Sequence, residues 1–367
     1  MTTARKHTAL GRVVLAACSA LFALLICEAF VRVFVGAPSR YPATVHIESA
    51  DKRVGLDLYP SNPRGYFQMD ARQPSTLAAW RGRAGRDFES RVARAPYAVP
   101  FQYTADLCRG QAIPPKVPGR KRILVIGDSF TEGQGVLEAD TFVARLARRF
   151  PYADFVNCGR RGYDFPELAN WFDRHMELEP DVVLYAMVLN DPQQSAAFHA
   201  RQRYIDDWIV DRRRMVSEGS GAPPFWHSHL WLALQDRMES RRVGMATTAW
   251  YRAMTGDQNR DGWNATLAHI QHMDQVMRAR GGSFAVALWP LVVDLDQHYP
   301  FEVTHQTISS ALTDRQIQFH DTLAAFRGQS TENLWVHPVD HHPNEQAHAI
   351  FARDVADFVH AALARVH

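Results

Sequence analysis

The sequence has few cysteines, no metalloprotease signature and no low-complexity tract, and each absence narrows what the chain does. Four cysteines in 367 residues are too few for a disulfide-built scaffold, and none stands at zinc-finger spacing from another. His-Glu-x-x-His, which sets two imidazoles and a general base on one helix face, is missing. So is Gly-x-Ser-x-Gly, the strained elbow that exposes one type of nucleophilic serine. Neither sign of charge dominates, with 41 Lys and Arg against 39 Asp and Glu and a net charge of +2. The basic runs Arg212-Arg213-Arg214 and Gly119-Arg120-Lys121-Arg122 carry no interleaved aromatics. They read as solvated face and linker, not as a nucleic-acid surface. No internal repeat is present. The apolar content of 46% is that of an ordinary globular protein, and the length allows one large domain with accessories or two small ones.

One long apolar run is present, near the N-terminus. Val13–Cys27 is uninterrupted, and after Glu28 it resumes through Ala29-Phe30-Val31 and Val33-Phe34-Val35. As a helix, Val13 to Val35 would rise about 35 Å, enough to cross a hydrocarbon core of about 30 Å. Arg5, Lys6 and Arg12 favour a cytoplasmic N-terminus and an extracytoplasmic bulk. Glu28 and Arg32, four apart, can pair on one helix face near the outer end. No Ala-x-Ala site follows the run, and the lipobox-like Leu15-Ala16-Ala17-Cys18 comes too early in the apolar core to serve as one. Residues 1–36 therefore read as a cytoplasmic tail and an uncleaved, single-pass signal anchor. Cys18 and Cys27 fall inside it. Cys108 and Cys158 remain for the folded part, as a pair or as two buried thiols; spacing does not choose between them.

Residues 37–121 are rich in Pro, Arg, Gly and aromatics, without sustained periodicity, and read as a stalk with short strands ending at Pro114-Pro115-Lys116-Val117-Pro118-Gly119. Beyond it, short β-branched runs at 122–127, 153–157, 181–188, 283–289 and 333–336 predict buried strands. Helical patterns fall between and after them, at 141–150, 165–177, 263–280, 306–326 and 345–366. Strands alternating with helices predict an α/β domain over 122–367, a parallel sheet between two helical layers. Residues 195–262 break the alternation and read as an insertion, a lid or docking surface.

Chemistry in open parallel sheets gathers at the carboxyl ends of the strands. The first strand ends in Gly127-Asp128-Ser129-Phe130-Thr131-Glu132-Gly133 and the second in Asn157-Cys158-Gly159-Arg160-Arg161-Gly162-Tyr163. The third ends in Leu189-Asn190-Asp191, and Asp340-His341-His342-Pro343-Asn344 follows the last. Ser129, His342 and Asp340 supply nucleophile, base and orienter. The N–H groups of Ser129 and Gly162 with the Asn190 amide supply an oxyanion hole. Taken singly, Ser129 is also a good helix N-cap and Asn190 a good turn residue; it is their joint placement that points to catalysis. Asp191 reads as a residue that holds its turn. His337, His341, His342 and His348 invite a metal reading, but no ligand spacing supports one.

These four blocks, in this order, resemble those of the SGNH/GDSL hydrolase family, over about residues 122–360. The resemblance maps the nucleophile to Ser129, the second-block glycine to Gly162, the third-block asparagine to Asn190, and the last block to Asp340, His342 and Asn344. Two departures stand out. Val188 occupies the usual glycine position of the third block, and the last block is the shorter Asp-x-His form. The resemblance implies a flavodoxin-like sheet, no metal or organic cofactor, and Ser-His-Asp ester chemistry. An extracytoplasmic esterase removing a short acyl group from carbohydrate or a lipid-linked substrate is the first expectation. An O-acyltransferase on cell-surface polysaccharide, working with assembly partners in the membrane, is the second; a non-catalytic scaffold is disfavoured by the intact residue set. The polar flanks Thr131–Gly135 and Arg160–Asp164 favour a short acyl group, unless Trp208, Trp226, Trp231 and Trp250 line an apolar channel.

Overall fold

The computed structural model describes residues 3–35, 41–42, 45–49, 51, 53–59, 97–201, 215–216, 227–296, 298–337 and 340–366. The chain divides into two units, Met1–Ala43 with Asp211–Met245, and Thr44–Val210 with Ala246–His367.

In the first unit, helix α1 (Thr3–Phe30) continues as a π-helical turn, Val31–Val35. Ala9–Val35 is long and apolar enough to cross a membrane by length and composition. β1 (Tyr41–Pro42) pairs in parallel with β8 (Met215–Val216). Residues 229–245 form the first part of the long helix α6 (His229–Met254). Glu28 and Arg32 do pair, with Nε donating to Oε1 at 2.6 Å. The same carboxylate accepts the Ser228 hydroxyl at 2.7 Å and the backbone N–H groups of His229 and Leu230 at 2.8 and 2.9 Å. The lone acid of the apolar run thus caps the N-terminus of α6, where orphan amides and the helix dipole favour a negative charge.

The second unit is built on a five-stranded parallel sheet. Its strands are β5 (Lys121–Gly127), β6 (Ala153–Gly159), β7 (Val182–Met187), β9 (Ser283–Leu288) and β10 (Gln318–Asp321), in the order β10-β9-β7-β5-β6. Ranked along the chain, that order is 2-1-3-4-5, the flavodoxin-like arrangement with its switch point between the first and third strands. β7 and β9 are buried at every residue, so helices cover both faces, as the continuous apolar runs foretold. α3 (Phe142–Arg149) packs with α10 (Glu345–Asp354), and α4 (Glu167–His175) with α7 (Arg260–Ala279). Trp289, just beyond β9 and fully buried, stacks on Phe351 of α10 at 3.8 Å and meets Phe130 edge-on at 5.7 Å. The core thereby reaches the residue beside Ser129.

Two strand expectations are corrected. The fifth strand of the sheet is Gln318–Asp321, inside the stretch expected to be helical over 306–326. Helix α8 (Glu302–Thr313) ends before it, and α9 (Leu323–Phe326) follows. This edge strand is four residues long and half-buried throughout, with Gln, His and Asp among them, so no β-branched run announced it. The run expected as the fifth strand instead gives β11 (Trp335–His337), paired antiparallel with β12 (Asp340–Pro343) in a separate hairpin. The last helical pattern also divides, at Val355, into α10 and α11 (Ala356–Ala364). The remaining strands, β2 (Val45–Glu48), β3 (Val54–Tyr59) and β4 (Tyr97–Gln102), form an antiparallel sheet. Of the expected insertion, α5 (Ala196–Arg201), β8 and residues 227–262 are described; Trp208, Trp226 and Arg212–Arg214 lie outside the described residues.

Candidate active site

At the carboxyl end of β5 the chain turns sharply into a one-turn helix, α2 (Ser129–Glu132). Asp128 caps it, its Oδ1 accepting the Phe130 N–H at 2.8 Å. The turn requires glycine at 127. Its φ is +152°, and a Cβ there would lie 2.2 Å from Thr131 Oγ1 and 2.6 Å from the Ala186 carbonyl. Ser129 is thereby set at the helix N-terminus, almost buried.

The hairpin β11–β12 brings His342 to it. His342 Nε2 lies 2.8 Å from Ser129 Oγ, and His342 Nδ1 is hydrogen-bonded to Asp340 Oδ1. The second oxygen of Asp340 accepts from Tyr59 Oη and Gln134 Nε2, each at 3.3 Å. Burial alone would raise the Asp340 pKa, but the adjoining His342 imidazole and its hydrogen bonds hold the carboxyl below the usual range. Asp128 goes the other way. Burial pushes it up to about 6, against the opposing Phe130 N–H, the His342 charge and the Asn190 amide.

The remaining expected residues border the same cleft. It has a volume of about 390 Å³ and is lined by Ser129, Gly162, Asn190 and His342, with Gln134 and Arg161 on its polar side and Trp250 and Tyr251 as aromatic wall. Gly162 has φ +77°, a backbone open to glycine, and nothing lies within 4 Å of where a Cβ would stand. Asp191 turns away from the cleft. It accepts the Tyr185 hydroxyl at 2.7 Å and the Val188 N–H at 2.9 Å, which fixes the β7 turn with Val188 at the departed glycine position. The other histidines are dispersed. His341 lies flat on Trp335, His337 is buried near Tyr59, and His348 stacks on Phe142. Burial, with Arg109 and Arg145 nearby, lowers the His348 pKa to about 3. Among the described residues, the group whose ligand atoms converge is Cys108, Cys158 and His175. Its two thiols are joined, because Cys108 and Cys158 form a disulfide.

Behind the site lies a buried ionic frame that no sequence motif announces. Arg161, next to Gly162, donates to Asp57 Oδ1 at 2.8 Å and to Glu132 Oε1 through Nε at 2.8 Å; its own N–H donates to Glu132 Oε2 at 2.7 Å. Arg161 draws both carboxyls below their usual range against the opposing effect of burial. His46 Nδ1 lies 2.7 Å from Asp57 Oδ1, and His46 also lines the cleft. Burial lowers the His46 pKa, but the Asp57 hydrogen bond and charge outweigh it and raise it overall. Arg109 spans the carbonyls of Glu132 and Gly133 at 2.6 Å each, and Tyr103 Oη donates to Glu132 Oε1 at 2.6 Å. Asp57, Tyr59 and His46 come from β2 and β3. The one available signal was Asp57 between Leu56 and Leu58, a charge inside a short apolar strand.

No protein-family profile matches the sequence, and no curated protein matches it. Solved structures do. A lipolytic protein assigned to the G-D-S-L family from Desulfitobacterium hafniense DCB-2 is 13% identical, over 65% of this chain and 99% of that one, with a TM-score of 0.37. The psychrotrophic esterase EstA from Pseudoalteromonas sp. is 12% identical, over 66% and 99%, with a TM-score of 0.36. Phospholipase A1 from Streptomyces albidoflavus NA297 is 11% identical, over 66% and 100%, with a TM-score of 0.39. The chain is similar, across about two thirds of its length, to solved lipolytic and esterase structures that include a G-D-S-L protein.

Proposed function

We propose that the protein is a serine ester hydrolase of the SGNH/GDSL type, held outside the cytoplasm by a single N-terminal span. The hydrogen-bonded line Asp340–His342–Ser129 at the floor of an open polar cleft carries the reading. In this mechanism His342 takes the Ser129 proton as Oγ attacks the ester carbonyl, and Asp340, held ionised, fixes the tautomer and stabilises the imidazolium. The N–H groups of Ser129 and Gly162 and the Asn190 amide hold the oxyanion. The imidazolium then protonates the leaving alcohol, and water, activated by the same base, releases the acid and restores Ser129. Residues 1–36 serve as tail and anchor, 37–121 as an extension whose strands supply His46, Asp57 and Tyr59, and 122–367 as the hydrolase domain with its insertion at 195–262.

The acyl group is short, with acetyl the first choice, and the alcohol is a carbohydrate. Long chains need an apolar channel, at about 0.8 kcal/mol per buried CH₂, whereas His46, Gln134, Arg161 and Asn190 set polar groups into this cleft beside its aromatic residues. Trp250 and Tyr251 offer the flat apolar surface that a sugar ring stacks on. Transfer of the acyl group to a sugar hydroxyl is the second reading, favoured by that aromatic wall, which would screen an acyl-enzyme from water. Incubating the detergent-solubilised protein with 4-nitrophenyl esters of two to twelve carbons, with and without a glycan acceptor, tests all of this. Released acid should peak at acetyl and vanish in Ser129→Ala; acylated glycan would mark transfer. A maximum at eight carbons or more would sink the short-acyl reading.

A further inference from the structure

Helix α6 carries an apolar stripe that stays exposed among the described residues. Trp231, Leu234, Met238 and Met245 are 58, 47, 70 and 59% exposed. At about 100° per residue they fall within about 60° of one another around the helix. Arg241 and Arg242, both exposed, project on either side of that stripe, within about 20° of its edges by the same helical geometry. Scattered surface apolars need no explanation, but four on one line, flanked by guanidiniums, make a face with a direction.

The position of α6 says what that face meets. Its first turn is capped by Glu28, through Ser228, His229 and Leu230, while Arg32 donates to the His227 carbonyl at 2.7 Å. Glu28 closes the uninterrupted apolar stretch that begins after Arg12. Because charges are excluded from the hydrocarbon, the Glu28–Arg32 pair belongs toward the outer end of the span, and the N-terminus of α6 is tied to that end. We infer that residues 229–245 form a membrane-surface helix, with Trp231, Leu234, Met238 and Met245 in the headgroup–acyl boundary and Arg241 and Arg242 on anionic headgroups. The inference rests on the reading of α1 as a membrane span. Tryptophan at the interface, arginines that extend to phosphates and a thin apolar face are what such a helix requires. A second contact beside the span would limit how the unit tilts and rotates on the bilayer.

The test uses the full chain in vesicles of phosphatidylcholine and phosphatidylglycerol, in a Cys18→Ser, Cys27→Ser background. Single cysteines at Leu21, Met238, Met245 and Gln329 carry an environment-sensitive fluorophore, and lipids bearing nitroxides at shallow or deep acyl positions act as quenchers. Leu21 should be quenched by deep nitroxides, Met238 and Met245 by shallow ones at least threefold more than Gln329, and Gln329 by neither. Replacing Arg241 and Arg242 by Gln should weaken shallow quenching at Met238. An unquenched Leu21 removes the span on which the inference stands. A quenched Leu21 with Met238 and Met245 as aqueous as Gln329 overturns the inference alone. So does shielding at Met238 that varies with protein concentration and ignores the nitroxides, which would assign the stripe to a second copy of the chain.

Discussion

His341 lies flat on the Trp335 indole, with ring centroids 3.7 Å apart, while His342 reaches Ser129 Oγ at 2.8 Å. Adjacent residues of a strand point to opposite sides, so the hairpin can present one imidazole to the serine and must turn the other away. His342→Ala should therefore lower kcat by at least about 10³-fold, as loss of a triad base does. His341→Ala should lose a stacking contact of about 1 kcal/mol and keep most of its activity. Steady-state kinetics and melting temperatures of the two purified variants check this, and an inactive His341→Ala beside an active His342→Ala would undo the assignment. The proposed site residues share a property that makes them legible in the sequence: Ser129, Gly162 and Asn190 each sit in a short block at a strand end. Asp340 and His342 form a compact block of their own. Tyr59 meets Asp340 across 281 residues, from a strand with no motif, and such a partner becomes visible only when the chain is folded.

The strands that the sequence announced are those buried on both faces, because burial there demands uninterrupted apolar runs; β5, β7 and β9 are of this kind. Gln318–Asp321 at the sheet edge escaped because a half-buried strand carries polar residues in its run, and β3, buried from Gly55 to Tyr59, escaped because Asp57 interrupts its apolar run. That strand matters through Arg161, which joins Asp57 of β3 to Glu132 of α2. Arg161→Met would leave buried Glu132 without its guanidinium and Asp57 with His46 alone, a loss of about 3–5 kcal/mol. Urea unfolding should show it, with partial recovery in Arg161→Met/Glu132→Gln; a loss below about 1 kcal/mol would mean the frame is solvated. The loop after Gly162 makes a separate prediction. Asp164 is raised to about 7, chiefly by burial and then by its hydrogen bond and repulsion with Glu167. An acid whose pKa is raised on folding contributes stability below its ordinary value near 4, and that contribution is lost as pH rises through about 7. The melting temperature should consequently fall less between pH 5 and pH 8 in Asp164→Asn than in the parent protein. An unchanged fall would show that another group governs it.

At the scale of the whole molecule, two independent features bear on which side of the membrane the chemistry occupies. Positive residues, Arg5, Lys6 and Arg12, stand before the apolar helix, and charge of that sign is retained on the cytoplasmic side. Cys108 and Cys158 are buried and bonded to each other at the root of the Gly162 loop, and such a bond persists in an oxidising compartment. The second feature was not decidable from spacing, since 50 residues separate the two cysteines and it is the antiparallel bridge between Arg109 and Asn157 that brings their neighbourhoods together. Both features support the proposed placement of the Ser129 cleft outside the cytoplasm. A membrane-impermeant maleimide applied to spheroplasts should then label a cysteine introduced at exposed Tyr152 without lysis. A cysteine at Thr3, before the span, should be labelled only after lysis. The free thiols Cys18 and Cys27 are changed to serine for the purpose. Labelling of Thr3→Cys in intact spheroplasts with Tyr152→Cys protected would reverse the orientation, and with it the argument that the substrate is an ester at the cell surface.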